Sequence, residues 1–130
     1  LNLIQALIQA ISAGADEALM LDPRGFVASC NSTNFFIVRK GAIWTSTGRY
    51  SFRGITQRAV IDACREAGLT VEEGDFTLAQ VYAADEAFVT GTLGGVTPVT
   101  RIDGRAIGAG VPGPVAARAQ ALYEAAVYPA

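Results

Sequence analysis

The sequence predicts an α/β domain with a mixed, barrel-like sheet. Helix-like stretches alternate irregularly with short strand-like runs, and several glycine-containing turns join neighbouring runs as hairpins. This arrangement favours a mixed sheet over a doubly wound parallel sheet, in which strands and helices alternate regularly. The length of 130 residues fits one domain with one substantial core.

The first half of the chain predicts one helix followed by short strands. Residues 1–13 carry apolar side chains at the spacing of one helical face, and Gly14 is suited to end that helix. Residues 17–22 predict a buried strand, which a turn at 22–25 connects to the FVAS run. Two further strands, 34–38 and 42–46, flank a hairpin turn at 39–41 that places Lys40 in solvent.

The second half begins with an amphipathic helix that starts at Ile55 and ends before Gly68. Its predicted apolar face is formed by Ala59, Val60, Ala63, Cys64 and Ala67. The elements that follow are a strand at 69–73, a short helix at 77–84, strands at 86–90 and 95–102, a turn at Asp103-Gly104, and a helix at 114–128.

Composition excludes several classes of function. Apolar residues make up 51% of the chain and charged residues 17%, so apolar surface remains to be covered by another domain or a second subunit. A net charge of −2 does not indicate the positively charged surface that binds nucleic acid. No run reaches the roughly 18 apolar residues that a membrane helix needs, and residues 1–14 lack the basic start of a signal peptide.

The absence of histidine removes the usual nucleophilic triads and histidine-based metal sites. Cys30 and Cys64 lie far apart without CxxC spacing, which favours free thiols in a reducing cytoplasm over a disulfide or a zinc site. We therefore expect no bound metal, and chemistry that depends on carboxylates, hydroxyls, backbone amides or a cofactor.

Three short motifs match known functional patterns, but an ordinary structural role is favoured for each. Residues 108–113 match G-x-G-x-x-G, but no βαβ unit surrounds them, so a glycine-rich loop entering the last helix is favoured over a dinucleotide site. Asn31-Ser32-Thr33 fits a glycosylation sequon, but glycosylation is not expected because the sequence shows no secretory signal. Asp85 and Glu86 are adjacent on a strand and point to opposite faces, so they do not form a catalytic pair.

Two glycine-containing segments are candidate anion sites. Residues 53–56 place a glycine, free amides and a hydroxyl at a helix start, where unpaired N–H groups and the helix dipole favour negative charge. Residues 90–95 follow a buried strand with small residues whose amides a ligand could approach closely. An ordinary helix start and an ordinary tight turn explain these segments about as well.

The ordered set of motifs resembles the fold-type IV (class IV) pyridoxal-phosphate aminotransferases. The motifs are DEALMLD, TNFF, GIT, AADEAFVTGT, TPV, RIDGR and GPV, and they extend the resemblance over nearly the whole chain. This family includes branched-chain aminotransferases, D-amino-acid transaminases and aminodeoxychorismate lyase. The resemblance implies the cofactor-binding C-terminal domain of such an enzyme and pyridoxal 5′-phosphate as its cofactor.

The resemblance also implies roles for individual residues. The amides of Ile55 and Thr56 and the Thr56 hydroxyl would bind the cofactor phosphate, and Gly54 would let the backbone pass close to it. Thr92 would also reach the phosphate, Phe52 would pack on the pyridine ring, and Leu93 and Gly94 would hold the substrate carboxylate.

The chain departs from the family pattern at two points. The family's Schiff-base lysine lies a few residues before the segment that matches Leu1-Asn2, and Lys40 on its turn is not expected to replace it. We therefore expect residues 1–130 to be a C-terminal domain without its N-terminal domain and lysine-bearing strand, and inactive alone. Ser29 stands where the family has a glutamate that pairs with the pyridine nitrogen, while Asn34 keeps its place nine residues after Gly25.

The intact protein is accordingly expected to be a cytoplasmic, homodimeric aminotransferase. It would transfer an amino group between an amino acid, either branched-chain or D-configured, and a 2-oxo acid. Neither nucleic acid nor membrane is an expected partner. Two alternatives stay open: a lyase of the aminodeoxychorismate type, and a non-catalytic homologue that binds the cofactor.

Overall fold

The computed structural model describes residues 19–30, 33–46, 54–91 and 95–127. The strands of these residues are β1 Leu19–Leu21, β2 Val27–Cys30, β3 Asn34–Arg39, β4 Ala42–Thr45, β5 Val71–Glu73, β6 Glu86–Gly91, β7 Gly95–Val99, β8 Arg101–Ile102 and β9 Arg105–Ala106. The helices are α1 Ile55–Glu66, α2 Leu78–Tyr82 and α3 Pro114–Val127. The helix predicted at 1–13 lies outside the described residues.

A five-stranded mixed sheet forms the centre of the fold, with strand order β5-β4-β3-β6-β7. Strands β4 and β5 pair in parallel, whereas the other three neighbouring pairs are antiparallel. Two-stranded hairpins, β1–β2 and β8–β9, lie outside this sheet. The mixed α/β prediction is confirmed, and within the described residues the central sheet is open, with β5 and β7 at its edges.

Alternating residues of β3 face two separate cores. Phe36 and Val38 face helices α1 and α3, and the Phe36 ring stacks on Phe88 with ring centroids 4.8 Å apart. Phe35 and Ile37 face the opposite side, where β2 and α2 cover the sheet. Because a strand projects successive side chains to opposite faces, a strand buried on both sides is apolar along its length. This accounts for the continuous NFFIV run of the sequence.

The hairpin predicted at residues 39–41 is confirmed. Arg39 pairs with Ala42 across β3 and β4, and Lys40 and Gly41 have positive φ angles of 50° and 80°. Lys40 is exposed on this turn, as expected. Its backbone N–H donates a hydrogen bond of 2.9 Å to the carboxylate of Asp85.

Helix α1 ends where the sequence predicts, just before Gly68, whose φ of 86° requires glycine. The face that it buries differs from the predicted one. Its buried residues are Thr56, Gln57, Val60, Ile61 and Cys64. Ala67 is exposed, because the helix turns its larger apolar side chains toward the sheet and leaves alanine positions at the margin.

Three predicted strands are shorter than expected. The run at 17–22 gives only β1 among the described residues, with Leu21 exposed, and the strand predicted at 69–73 begins at Val71. The strand predicted at 95–102 divides into β7, which pairs with β6, and β8, which pairs with β9. The chain then turns at Asp103 and Gly104 into β9.

Glu86 of β6 caps the start of helix α3. Its two carboxylate oxygens accept the backbone N–H groups of Val115 at 3.0 Å and Ala116 at 2.9 Å. A Cβ atom on Gly113 would lie 2.1 Å from Glu86 Cδ, so glycine leaves the room that this carboxylate fills. The loop at 108–113 therefore leads into a helix whose N-terminus is already occupied, and the dinucleotide alternative has no free anion site there.

Candidate functional site

The N-terminus of α1 is open to an anion. Gly54 precedes it in extended conformation, with φ of −81° and ψ of 145°, and no side chain of the described residues caps it. The first-turn residues include no acid, and the hydrogen bond from Arg58 N–H to the Gly54 carbonyl, at 3.2 Å, starts the helical pattern. The N–H groups of Ile55 and Thr56 precede that bond, so they and the helix dipole favour an anion here.

Asn34 at the start of β3 fixes the backbone position of Gly54. Its side chain is almost fully buried, and a Cβ atom on Gly54 would lie 2.6 Å from Asn34 Oδ1. A side chain at residue 54 would displace either the Asn34 amide or the start of α1. The glycine requirement that the resemblance implies thus has a physical cause inside the chain, apart from any ligand.

A buried chain of hydrogen bonds anchors the first turn of α1 to the sheet. Gln57 Nε2 donates to Thr45 Oγ1 at 3.3 Å, and Thr45 Oγ1 donates to the Phe35 carbonyl at 2.9 Å. Gln57 and Thr45 are both buried. Because these polar groups are satisfied inside the protein, they hold the helix start at a fixed height above β3 and β4.

The end of β6 meets the same corner of the fold. Asn34 and Thr90 pair directly across β3 and β6, so their side chains share the face that α1 covers. A Cβ atom on Gly91 would lie 3.1 Å from Thr33 Cγ2, which brings the last residue of β6 against the residue before β3. The corner thus joins the start of α1, the start of β3 and the end of β6, after which residues 92–94 follow.

Thr90 carries an unsatisfied hydroxyl at this corner. Its side chain is 1% exposed, and in the described part of the chain its Oγ1 is buried without a hydrogen-bond partner. An unpaired buried hydroxyl costs about 1–3 kcal/mol, so its presence calls for an explanation.

The residues expected to bind the phosphate fall at this corner where the structure describes them. Gly54 and Thr56 lie at the α1 start, and Thr56 is buried. The Ile55 side chain is 92% exposed, so its backbone amide, not its side chain, belongs to the site. Phe52, Thr92, Leu93 and Gly94 lie outside the described residues.

Ser29 lies on β2, paired with Met20 of β1, and is 1% exposed. Its hydroxyl donates to the carbonyl of Cys30 at 3.1 Å. A hydroxyl with this bond can accept a further hydrogen bond but brings no negative charge. The predicted contact between Ser29 and a pyridine nitrogen stays a prediction.

Cys30 and Cys64 are both buried and are not joined in a disulfide, and burial raises the pKa of the Cys64 thiol. Among the described residues, no group of three or more Cys, Asp or Glu could hold a metal ion. Nor is any helix in the described ranges both long and apolar enough to cross a membrane.

Sequence reasoning missed the supporting residues Gln57, Thr45 and Thr90. Gln57 had a detectable signal: it stands one turn before Val60 and Ile61, a polar residue on the buried face of α1. Thr45 and Thr90 gave none, because threonine is common in strands for reasons unrelated to ligands.

Comparison with known proteins identifies the family. The family model for amino-transferase class IV matches residues 1–102. The chain belongs to the class IV aminotransferase family. The predicted family is therefore confirmed.

Two class IV relatives are similar in sequence. The branched-chain-amino-acid aminotransferase of Pseudomonas aeruginosa is 46% identical over 123 residues, which cover 95% of this chain and 40% of that protein. The D-alanine aminotransferase of Listeria monocytogenes is 37% identical over 93 residues, which cover 71% of this chain and 32% of that protein.

A solved structure matches the fold. The T.th. branched-chain amino acid aminotransferase, determined with pyridoxamine 5′-phosphate, superposes with a TM-score of 0.92 at 44% identity. The match covers 97% of this chain and 42% of that one. The chain thus spans about two fifths of the length of that enzyme and of the Pseudomonas relative.

Proposed function

We propose that the chain is the cofactor-binding domain of a pyridoxal-phosphate-dependent aminotransferase, and that the α1 N-terminus binds the cofactor phosphate. The main support for this proposal is the start of α1, which no side chain of the described residues caps. Gly54, the residue before the helix, lies against Asn34. The T.th. homologue, at 44% identity, was solved with pyridoxamine 5′-phosphate.

The residues present fit a phosphate group. The amides of Ile55 and Thr56 and the Thr56 hydroxyl supply donors, and no acidic residue of the first turn opposes the anion. Thr92 is proposed as a further phosphate contact, with Phe52 against the ring and the amides of Leu93 and Gly94 on the substrate carboxylate. When bound, pyridoxal phosphate supplies the electron sink that amino-group transfer requires.

Ser29 cannot supply the negative charge that a glutamate would place beside the pyridine nitrogen of the cofactor. The family pattern places a carboxylate there, which favours a protonated ring. The buried Ser29 hydroxyl already donates to the Cys30 carbonyl and supplies no charge. We propose that the bound ring is less protonated here than beside a glutamate, and that transfer is correspondingly slower.

Branched-chain amino acids and 2-oxo acids are the proposed substrates. The branched-chain-amino-acid aminotransferase of Pseudomonas aligns with 95% of this chain, whereas the D-alanine aminotransferase aligns with 71%. A cytoplasmic homodimer is the proposed form of the intact protein. Its support is the 51% apolar composition, which leaves apolar surface to be covered by a second subunit.

The test uses the intact protein loaded with pyridoxal phosphate. We expect 2-oxo acid to form from a branched-chain amino acid in the presence of 2-oxoglutarate. Thr56→Ala should weaken cofactor affinity by about 1–3 kcal/mol, the value of a hydrogen bond to a charged acceptor. Thr97→Ala, on the exposed part of β7, is the matched control and should bind as the parent does. Equal cofactor affinity in Thr56→Ala and the parent would refute the phosphate site.

A further inference from the structure

The buried hydroxyl of Thr90 has no structural task in the described part of the chain. Its oxygen is buried and unpartnered, although threonine hydroxyls in folded proteins are normally satisfied. Valine would offer the same branched shape without a group to satisfy, and it suits a strand equally well. The cost of an unpaired hydroxyl therefore indicates a partner beyond the described residues, and a bound ligand would be such a partner.

The position of Thr90 indicates where that partner lies. Thr90 pairs with Asn34 across β3 and β6, on the face that α1 covers. The amide oxygen of Asn34 in turn lies against Gly54, at the uncapped start of α1. The unpaired hydroxyl and the uncapped helix start thus both lie beside Asn34.

Two independent features converge at this corner. The helix start offers donors and a positive dipole end to an anion, and Thr90 offers a buried hydroxyl that lacks an acceptor. A phosphate is compact and carries three terminal oxygens, so it can accept from several donors that surround it. Thr90 was not among the residues that the family pattern assigned to the cofactor.

We propose that Thr90 is a further phosphate-positioning residue of this site. Its hydroxyl donates a hydrogen bond to the bound phosphate or to a water held against it. This inference rests on the proposed function, because it takes the phosphate of pyridoxal phosphate as the anion. Asn34 supports this role, because it pairs with Thr90 across the strands and lies against Gly54 at the helix start.

The test compares Thr90→Val and Thr90→Ser with the parent in the intact protein. Binding of pyridoxal 5′-phosphate and of pyridoxal, which lacks the phosphate, is measured by spectroscopic titration. The thermal unfolding midpoint of each cofactor-free protein is measured beside them. Thr90→Val should bind pyridoxal 5′-phosphate about 10-fold to 100-fold more weakly, as loss of a bond to a charged acceptor predicts.

Three further results are expected. Pyridoxal should bind Thr90→Val as it binds the parent, because the lost bond involves the phosphate. The cofactor-free valine variant should unfold at the same temperature as the parent or higher, since it no longer buries an unpaired hydroxyl. Thr90→Ser keeps the hydroxyl and should bind pyridoxal 5′-phosphate within about threefold of the parent.

Other outcomes would overturn the inference. Parent-like affinity for pyridoxal 5′-phosphate in Thr90→Val would show that the hydroxyl makes no contact with the site. Equal weakening for pyridoxal and its phosphate, together with a lowered unfolding temperature, would show a purely structural role. Thr56→Ala separates the two proposals: if it binds weakly while Thr90→Val does not, the phosphate site stands and only the role of Thr90 is refuted.

Discussion

The amide oxygen of Asn34 leaves no space for a side chain on Gly54. A Cβ atom at residue 54 would lie 2.6 Å from Asn34 Oδ1, well inside contact distance. Asn34 begins β3 and Gly54 precedes α1, so the helix start packs closely against the start of this strand. The two residues are 20 positions apart in the sequence.

Gly54→Ala should disturb both stability and cofactor binding. Its backbone lies at φ of −81°, so alanine brings no backbone strain and acts only through the Asn34 contact. We expect a loss of about 1–3 kcal/mol in the free energy of unfolding, together with weaker binding of pyridoxal phosphate. Gly74→Ala is the control, since its Cβ would meet only the Trp44 ring, at 3.3 Å. If both variants bind the cofactor alike, the Asn34–Gly54 contact does not shape the site.

Glu86→Ala should destabilise the domain through helix α3. The carboxylate accepts two N–H groups at the helix start, and its removal leaves both without this acceptor. Urea denaturation should show a loss of about 1–3 kcal/mol, and Glu86→Gln a smaller loss because one acceptor oxygen remains. Glu124→Ala, exposed on the same helix, should leave the midpoint nearly unchanged. A similar loss at residue 124 would contradict the capping role.

Asp22 should make stability fall in acid. Burial acts to raise the pKa of its carboxyl, but hydrogen bonds from the Arg24 side chain and from the N–H groups of Arg24 and Phe26 outweigh burial and lower it below 3.8. A carboxyl whose pKa is lower in the folded state than in the unfolded state stabilises the fold at pH values above its unfolded pKa. This stabilisation is lost as the pH falls through its folded pKa. The free energy of unfolding should therefore decline below about pH 4, through the lowered folded pKa.

Asp22→Asn should make this acid dependence less steep, because the variant has no carboxyl at residue 22 to protonate. Asp62→Asn is the matched control, since its ion pair with Arg58 lies on the exposed surface of α1. Its acid profile should follow that of the parent. Denaturation at several pH values gives both curves, and an unchanged slope in Asp22→Asn would contradict the assignment.

The sequence predicted local elements well, because their signals lie within a few residues. The turn at Lys40-Gly41 and the end of α1 at Gly68 both follow from glycine in a position of positive φ. Strand bounds were less accurate. The strand predicted at 95–102 divides at Thr100, because residues before it pair with β6 and residues after it pair with β9.

For the candidate site, the sequence predicted the helix start but not the residues that support it. Gly54 and Thr56 follow from the family motif and from the physics of a helix start. The residues that support them, Gln57 with Thr45 and Asn34 with Thr90, depend on pairs 12 and 56 positions apart. Such contacts depend on how β3, β4 and β6 align, and periodicity in a single sequence carries no information about that alignment.

The most direct measurement is a crystal structure of the intact protein with pyridoxal 5′-phosphate. We expect phosphate oxygens within about 2.7–3.2 Å of the backbone nitrogens of Ile55 and Thr56, with Gly54 still against Asn34. A phosphate bound elsewhere, with the start of α1 solvated or capped by a protein side chain, would show that α1 does not bind the cofactor phosphate.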